Sequence, residues 1–204
     1  MMAAVIRALR VWWEQGVADF ALVLGARRAA MAAYRRLLEH QPENGYARMV
    51  LGNLLAEQGE PAAAAEQFRR VLESDECNAD AWFNLGFLAE QGGALDEAER
   101  CMRRALALAP RLDRAWYGLG LVLVRRGRLD EAAPAFQRNI ELQPFSPYGY
   151  CQLARVWRRL GSDERAWRVQ RQLARFEPAH AGTLAAELGG AGPADALGPS
   201  SGPV

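Results

Sequence analysis

Residues 79–112 read ADAWFNLGFLAEQGGALDEAERCMRRALALAPRL. Trp82, Leu85, Gly86, Ala98, Ala105 and Pro110 mark the stretch, and 34 residues on Trp116, Leu119, Gly120, Ala132, Phe136 and Pro144 form a close copy. Trp82, Leu85 and Leu88 or Ala89 recur at helical intervals and give a first helix one apolar stripe. Gly86 leaves room beside that stripe, and Ala98 presents only a methyl group, so this small pair is expected to let the returning helix come close. Gly92 and Gly93 break the first helix; Asp96 sits near the start of the second, where its charge suits a helix N-terminus, and Pro110 stops it. Neither helix can bury its stripe alone, so neighbouring copies must stack and share a core.

The register extends in both directions. Gly52, Gly86, Gly120 and Ala154 recur at 34 residues, as do Ala64, Ala98, Ala132 and Ala166, and as do the inter-helix glycines Gly25, Gly59, Gly93, Gly127 and Gly161. The spacing predicts repeats at 45–78, 79–112, 113–146 and 147–180. A weaker unit at about 11–44 precedes them, where Ala30, Tyr34, Leu37 and Pro42 lie one period before Ala64, Phe68, Val71 and Glu76. Five helical hairpins are expected. Residues 181–188 read as a short capping helix and 189–204 as a disordered tail, because half of that tail is Gly and Pro and it cannot bury enough apolar surface to order itself.

A period of 34 with W-x2-L-G, then A-x3-F or its equivalent, then Pro resembles the tetratricopeptide repeat family over residues 11–180. The resemblance implies an all-α fold, a right-handed superhelical solenoid of tetratricopeptide helix-turn-helix hairpins. Departures from the pattern fall mostly in the outer copies: Arg48 stands where Trp82 and Trp116 stand, Glu76 replaces the closing proline, and Gln170 replaces Phe136. Outer repeats meet solvent on one face, so their landmarks are less constrained. Pro134 lies inside a second helix and predicts a late helix start or a kink there.

All 25 basic residues are arginine, which fits a GC-rich, bacterial source and removes P-loop, Schiff-base and general-base lysines from consideration. A net charge of +1 gives no reason to expect a nucleic-acid partner. The charge is uneven: residues 45–78 carry 3 Arg against 6 Asp and Glu, or −3, whereas 147–180 carry 7 against 3, or +4. Cys77, Cys101 and Cys151 are odd in number and lack C-x-x-C spacing, so neither a disulfide framework nor a metal site is expected, and a reducing, cytoplasmic setting fits.

Arg7, Arg10, Glu14 and Asp19 interrupt the N-terminal stretch, which argues against a cleaved signal or a spanning helix. What remains is an amphipathic helix with Leu9, Trp13, Val17, Phe20 and Leu24 near one face. It reads as the first helix of the degenerate repeat, or else as a membrane-surface or partner-binding helix, for which Trp12 and Trp13 beside arginines speak.

No catalytic constellation assembles. His40 and His180 lie at repeat junctions far apart in sequence, H-E-x-x-H is absent, and Gly118-Leu119-Gly120 belongs to the repeat motif. The match of G-P-S-S-G at Ser200 to a nucleophile elbow lacks the strand and helix that such an elbow needs. The expectation is a protein that is not an enzyme and takes no cofactor and no metal.

The resemblance also implies that the first helix of each hairpin lines a concave partner-binding groove. The groove residues are then Met49, Asn53, Phe83, Asn84, Phe87, Arg114, Tyr117, Leu121, Tyr148, Arg155, Arg158 and Arg159, aromatic at the centre and arginine-rich toward the C-terminal end. That composition suits another protein or a peptide with apolar anchors and acidic residues. Asn53, Asn84 and Arg114 resemble part of the family's carboxylate clamp for chaperone tails, but Met49 and Gly118 stand where the clamp requires cations, so that specific ligand is disfavoured. The leading reading is a non-catalytic adaptor or scaffold. The alternatives are a membrane-peripheral assembly factor using residues 1–24, and a self-associating scaffold or homo-oligomer.

Overall fold

A computed structural model describes residues 2–189, without the side chains of residues 3–11. The tail expected to be disordered lies outside the described residues from 190 onward. The described residues form eleven α-helices in two compact units, residues 1–94 and 95–204.

The first unit holds α1 (Met2–Val23), α2 (Arg27–His40), α3 (Gly45–Glu57), α4 (Pro61–Ser74) and α5 (Ala79–Gln91), each packed on the next. The second holds α6 (Leu95–Leu108), α7 (Asp113–Arg125), α8 (Leu129–Leu142), α9 (Pro147–Arg159), α10 (Asp163–Ala174) and α11 (Pro178–Glu187). These are again packed in chain order, and α11 also touches α9. Four hairpins lie wholly within a unit: α1–α2, α3–α4, α7–α8 and α9–α10. The closing helix starts at Pro178, three residues earlier than the sequence suggested, because proline at the first helical position has its φ already set.

The turn glycines share one conformation. Gly25, Gly59, Gly93, Gly127 and Gly161 have φ of 71°, 80°, 80°, 75° and 72°, the left-handed region that a Cβ disfavours. Each ends a helix in the same pair of bonds; after α3 the Gly59 N–H donates to Ala56 O and the Glu60 N–H to Leu55 O. The degenerate first hairpin uses the same device, with Gly25 donating to Leu22 and Ala26 to Ala21. At the other ends Asn44 and Asn78 cap α3 and α5, accepting from the Ala47 and Ala81 N–H groups at 2.9 and 3.0 Å.

The small landmark on the first helix makes room for a ring. A methyl placed on Gly52 would lie 2.6 Å from a Phe68 ring carbon, and one on Gly120 would lie 2.6 Å from Phe136. Phe68 and Phe136 are fully buried, so the glycine face receives an aromatic side chain in α3–α4 and α7–α8, which the sequence reading had assigned to the alanine methyl. In α9–α10 both members change, to Ala154 and Gln170, and the glutamine instead donates to the Ala181 carbonyl at 3.1 Å. Pro134 does not delay its helix: α8 starts at Leu129, in register with Leu95 of α6 and Pro61 of α4, and the proline is exposed. An interior proline costs about 3 kcal/mol. Burial of Phe136, worth about 1.5–3 kcal/mol by itself, with Ala132, Ala133 and Ala135, offsets that cost.

Candidate functional site

The repeat's fourth position does a structural job that its side-chain type conceals. Trp82 Nε1 donates to the Glu76 carbonyl and Trp116 Nε1 to the Pro110 carbonyl, both at 2.9 Å. Arg48 Nε donates to the Pro42 carbonyl at 2.8 Å and the Tyr150 hydroxyl to Pro144 at 3.0 Å. Each bond ties a first helix to the loop six residues before it. Arg48 and Tyr150 therefore preserve the function of the tryptophan landmark, and Glu76 can stand in for proline because only its carbonyl is used. These landmark side chains belong to the framework.

In the first unit Asn84 Nδ2 of α5 donates to Asn53 Oδ1 of α3 at 3.1 Å, forming a polar rung between the two first helices. Met49 is half-buried. Phe83 and Phe87, one turn apart on α5, stack with centroids 6.4 Å apart and planes at 25°. Phe87 is 45% exposed, while Phe83 is half-buried. Tyr46, also exposed, donates to Asp19 Oδ1 at 3.2 Å, and the buried Tyr34 hydroxyl donates to the same carboxylate oxygen. Burial, then the bond to Asp19, pushes the Tyr34 phenol well above its ordinary value.

In the second unit Arg114 is exposed and Leu121 half-buried. Tyr117 lies half-buried with its edge against the Phe136 ring, centroids 5.7 Å apart. Tyr148 is exposed and packs edge-on to His180 of α11 at 6.4 Å. The arginines at this end are largely committed. Arg155 makes a paired contact with Glu187 of α11, Nε and Nη2 donating at 2.8 and 2.9 Å, and Arg158 Nη1 is 2.6 Å from Asp163. Hydrogen bonding to Arg155 draws the Glu187 carboxyl below its ordinary value. Arg159 is exposed. Burial pushes the Cys151 thiol above its ordinary value, against the opposing pull of Arg155.

One carboxylate, Glu99, is withdrawn from solvent. It is buried in α6 and accepts from Arg103 Nε at 2.9 Å and Arg128 Nη1 at 2.7 Å, with Arg126 Nη1 at 3.1 Å. Asp96 pairs with Arg126, and Glu131 with Arg128 at 2.7 Å, so three carboxylates meet three guanidinium groups. Burial alone would raise the Glu99 carboxyl, but the Arg103 and Arg128 bonds outweigh it and the net direction is down. The cluster is charge-balanced and internally satisfied, as a structural clasp between α6, α8 and the α7–α8 turn would be. His180 has Glu177 Oε1 3.4 Å from Nδ1; both side chains are open to solvent. Among the described residues no group of three His, Cys, Asp or Glu side chains is arranged to hold a metal ion, and no helix is long and apolar enough to cross a membrane.

The turn glycines, the ring-on-glycine packing and the 34-residue register together define an array of stacked helical hairpins. The sequence pattern of the tetratricopeptide repeat family matches residues 18–77, 51–111 and 88–147, and the chain belongs to that family. Solved structures agree on the fold, an all-α tetratricopeptide solenoid. A crystal structure of MamA is 22% identical, with 87% of this chain and 94% of that one aligned at a TM-score of 0.73. PilF of Pseudomonas aeruginosa is also 22% identical, over 89% of this chain and 84% of that one, at 0.76. YrrB, described as a TPR protein with an unusual peptide-binding site, is 22% identical over 83% of this chain and 87% of that one, at 0.69. No curated protein matches the sequence closely enough to count as a relative. Proteins of this family are protein-interaction scaffolds, generally non-catalytic.

Proposed function

We propose that this chain is a non-catalytic adaptor that takes a peptide or partner protein on the exposed face of its first helices, in the cytoplasm. The observation that carries the reading is Phe87, an aromatic ring 45% exposed on α5 and stacked on Phe83, on the same helix as Asn84 and its polar rung to Asn53. An exposed aromatic anchor beside side-chain amides supplies apolar area and directional bonds together, the combination that peptide grooves use. Family membership supports the reading, and so does the peptide-binding site attributed to YrrB. Arg155 and Arg158 already have acidic partners within the chain, so neither is a free cation for an acidic ligand.

The test is affinity capture from the source cell, comparing the natural sequence with Phe87→Glu and Leu121→Glu variants of matched helicity. A partner bound by the natural sequence should be lost from at least one variant, and purified partner should bind that variant at least about tenfold more weakly, a loss of about 1.4 kcal/mol. Partners retained equally by all three proteins would refute the reading.

A further inference from the structure

Two grooves in the second unit share most of their lining at the 34-residue period. One, about 450 Å³, has Leu119, Leu123 and Ala135 in its floor; the other, about 650 Å³, has Leu153, Trp157 and Val169. Each is formed by the two helices of a hairpin and walled on its third side by the second helix of the hairpin before, through Arg103 of α6 in one and Ile140 of α8 in the other. The same groove exists in the first hairpin, lined by Val17, Ala33 and Arg36, which lie three periods before Leu119, Ala135 and Arg138. There its described lining comes from α1 and α2 alone. The seat for a stacking helix is present, and the face beside it is open: Trp12, Trp13, Phe20, Val23 and Leu24 are each 64–82% exposed.

We propose that a second copy of this chain covers this face, its α1 lying antiparallel on ours about a two-fold axis. The stripe Trp13, Val17, Phe20 and Leu24 is self-complementary in that arrangement, because Trp13 meets Leu24 and Val17 meets Phe20 in both directions. Trp12, Trp13, Val17, Phe20, Val23 and Leu24 together expose roughly 700 Å² of apolar surface per copy, about two thirds of it from the stripe and the rest from Trp12 and Val23 at its edge, and a standard interface takes about 800 Å² per partner. Head-to-tail stacking lacks a matching surface, since α11 carries no large exposed apolar residue. The charges lining the groove are mixed, Glu14 and Glu39 with Arg36, and the vesicle arm of the experiment separates a lipid surface from a second copy. The interface is distinct from Phe87, so it goes beyond the peptide-binding reading and stands or falls separately.

The experiment is multi-angle light scattering of the full chain over a wide concentration range, with co-sedimentation on anionic vesicles in parallel. The natural sequence should show twice its 22.5 kDa mass. A Trp13→Glu, Phe20→Glu variant of unchanged helicity should weaken dimerisation at least about a hundredfold, whereas Phe87→Glu should leave it within about threefold. If the first variant loses helicity, Val23→Glu, Leu24→Glu at the helix end carries the same expectation. A single-chain mass at every concentration overturns the proposal. So does a dimer indifferent to these substitutions, or vesicle binding that they abolish while the mass stays that of one chain.

Discussion

Gly120→Ala sets two effects of the same methyl group against each other. In a helix interior alanine is favoured over glycine by about 1 kcal/mol. Here the new Cβ would sit 2.6, 2.7 and 2.9 Å from three atoms of the Phe136 ring, well inside the roughly 3.5–4.0 Å of an ordinary carbon contact. Phe136 has no exposed surface, so its ring cannot swing out to solvent, and Tyr117 packs against it edge-on. Overpacking of this kind costs about 1–3 kcal/mol, and because the ring is held on several sides we take the upper part of that range. The net expectation is a loss of about 1–2 kcal/mol. Gly182→Ala, in α11 with nothing within 4 Å of the new methyl, should instead gain about 0.5–1 kcal/mol. The fifth hairpin, with Ala154 and Gln170 in the paired positions, says how the clash is relieved: remove the ring. In urea denaturation followed by circular dichroism, Gly120→Ala combined with Phe136→Leu should therefore cost less than the sum of the single changes by at least about 0.5 kcal/mol, since the methyl enters space the ring has left. A Gly120→Ala protein as stable as the natural one, or a strictly additive double variant, would refute the argument.

Two further outcomes follow from the charged and hydroxyl contacts. Glu99 and Glu131 have folded values below the ordinary carboxylate value, so their contribution is fully present above about pH 4.3 and is lost as pH falls through the folded values; acid denaturation should begin there, and Glu99→Gln should flatten that limb while costing about 1–3 kcal/mol at neutral pH. Tyr34→Phe keeps the buried ring but removes its bond to Asp19, which retains Tyr46; the loss should be about 1–2 kcal/mol, read by hydrogen exchange as faster opening of α1 with α7–α10 unchanged.

The hairpin framework was legible because its determinants are backbone and volume requirements with few solutions. A turn at φ near 75° calls for glycine, so Gly25 through Gly161 announce five turns even where the rest of the first repeat has drifted. The tryptophan landmark was legible as a position and misread in kind. Trp82 and Trp116 look like apolar residues, yet each donates to a loop carbonyl, and Arg48 and Tyr150 do the same. Reading the position as a long donor, one residue type after another, would have found the bond. The Glu99 cluster was hidden for a different reason: Arg126 and Arg128 are 27 and 29 residues away, and only the return of the α7–α8 turn onto α6 brings them together. Arg155 was read as a groove cation because nothing in its own repeat marks Glu187, which arrives on α11 from outside the repeat register.

The same division of labour explains why the fold speaks clearly and the partner does not. Every repeat commits its glycine turn to stacking, four commit a loop-tying donor, and α3–α4 and α7–α8 add a small-against-ring pair. The residues one and five places after that donor share no such common task, and they vary from Met49 to Phe83, Tyr117 and Cys151, and from Asn53 to Phe87, Leu121 and Arg155. A solenoid needs no particular side chain there, so what stands at those positions is open to be set by a ligand. Where the chain does reuse one, as Arg155 is reused by α11, the position becomes framework again and leaves the binding surface. The proposed adaptor reading puts specificity, in the first unit, on Phe87 with the Asn53–Asn84 rung, and substitutions there are expected to separate binding from folding.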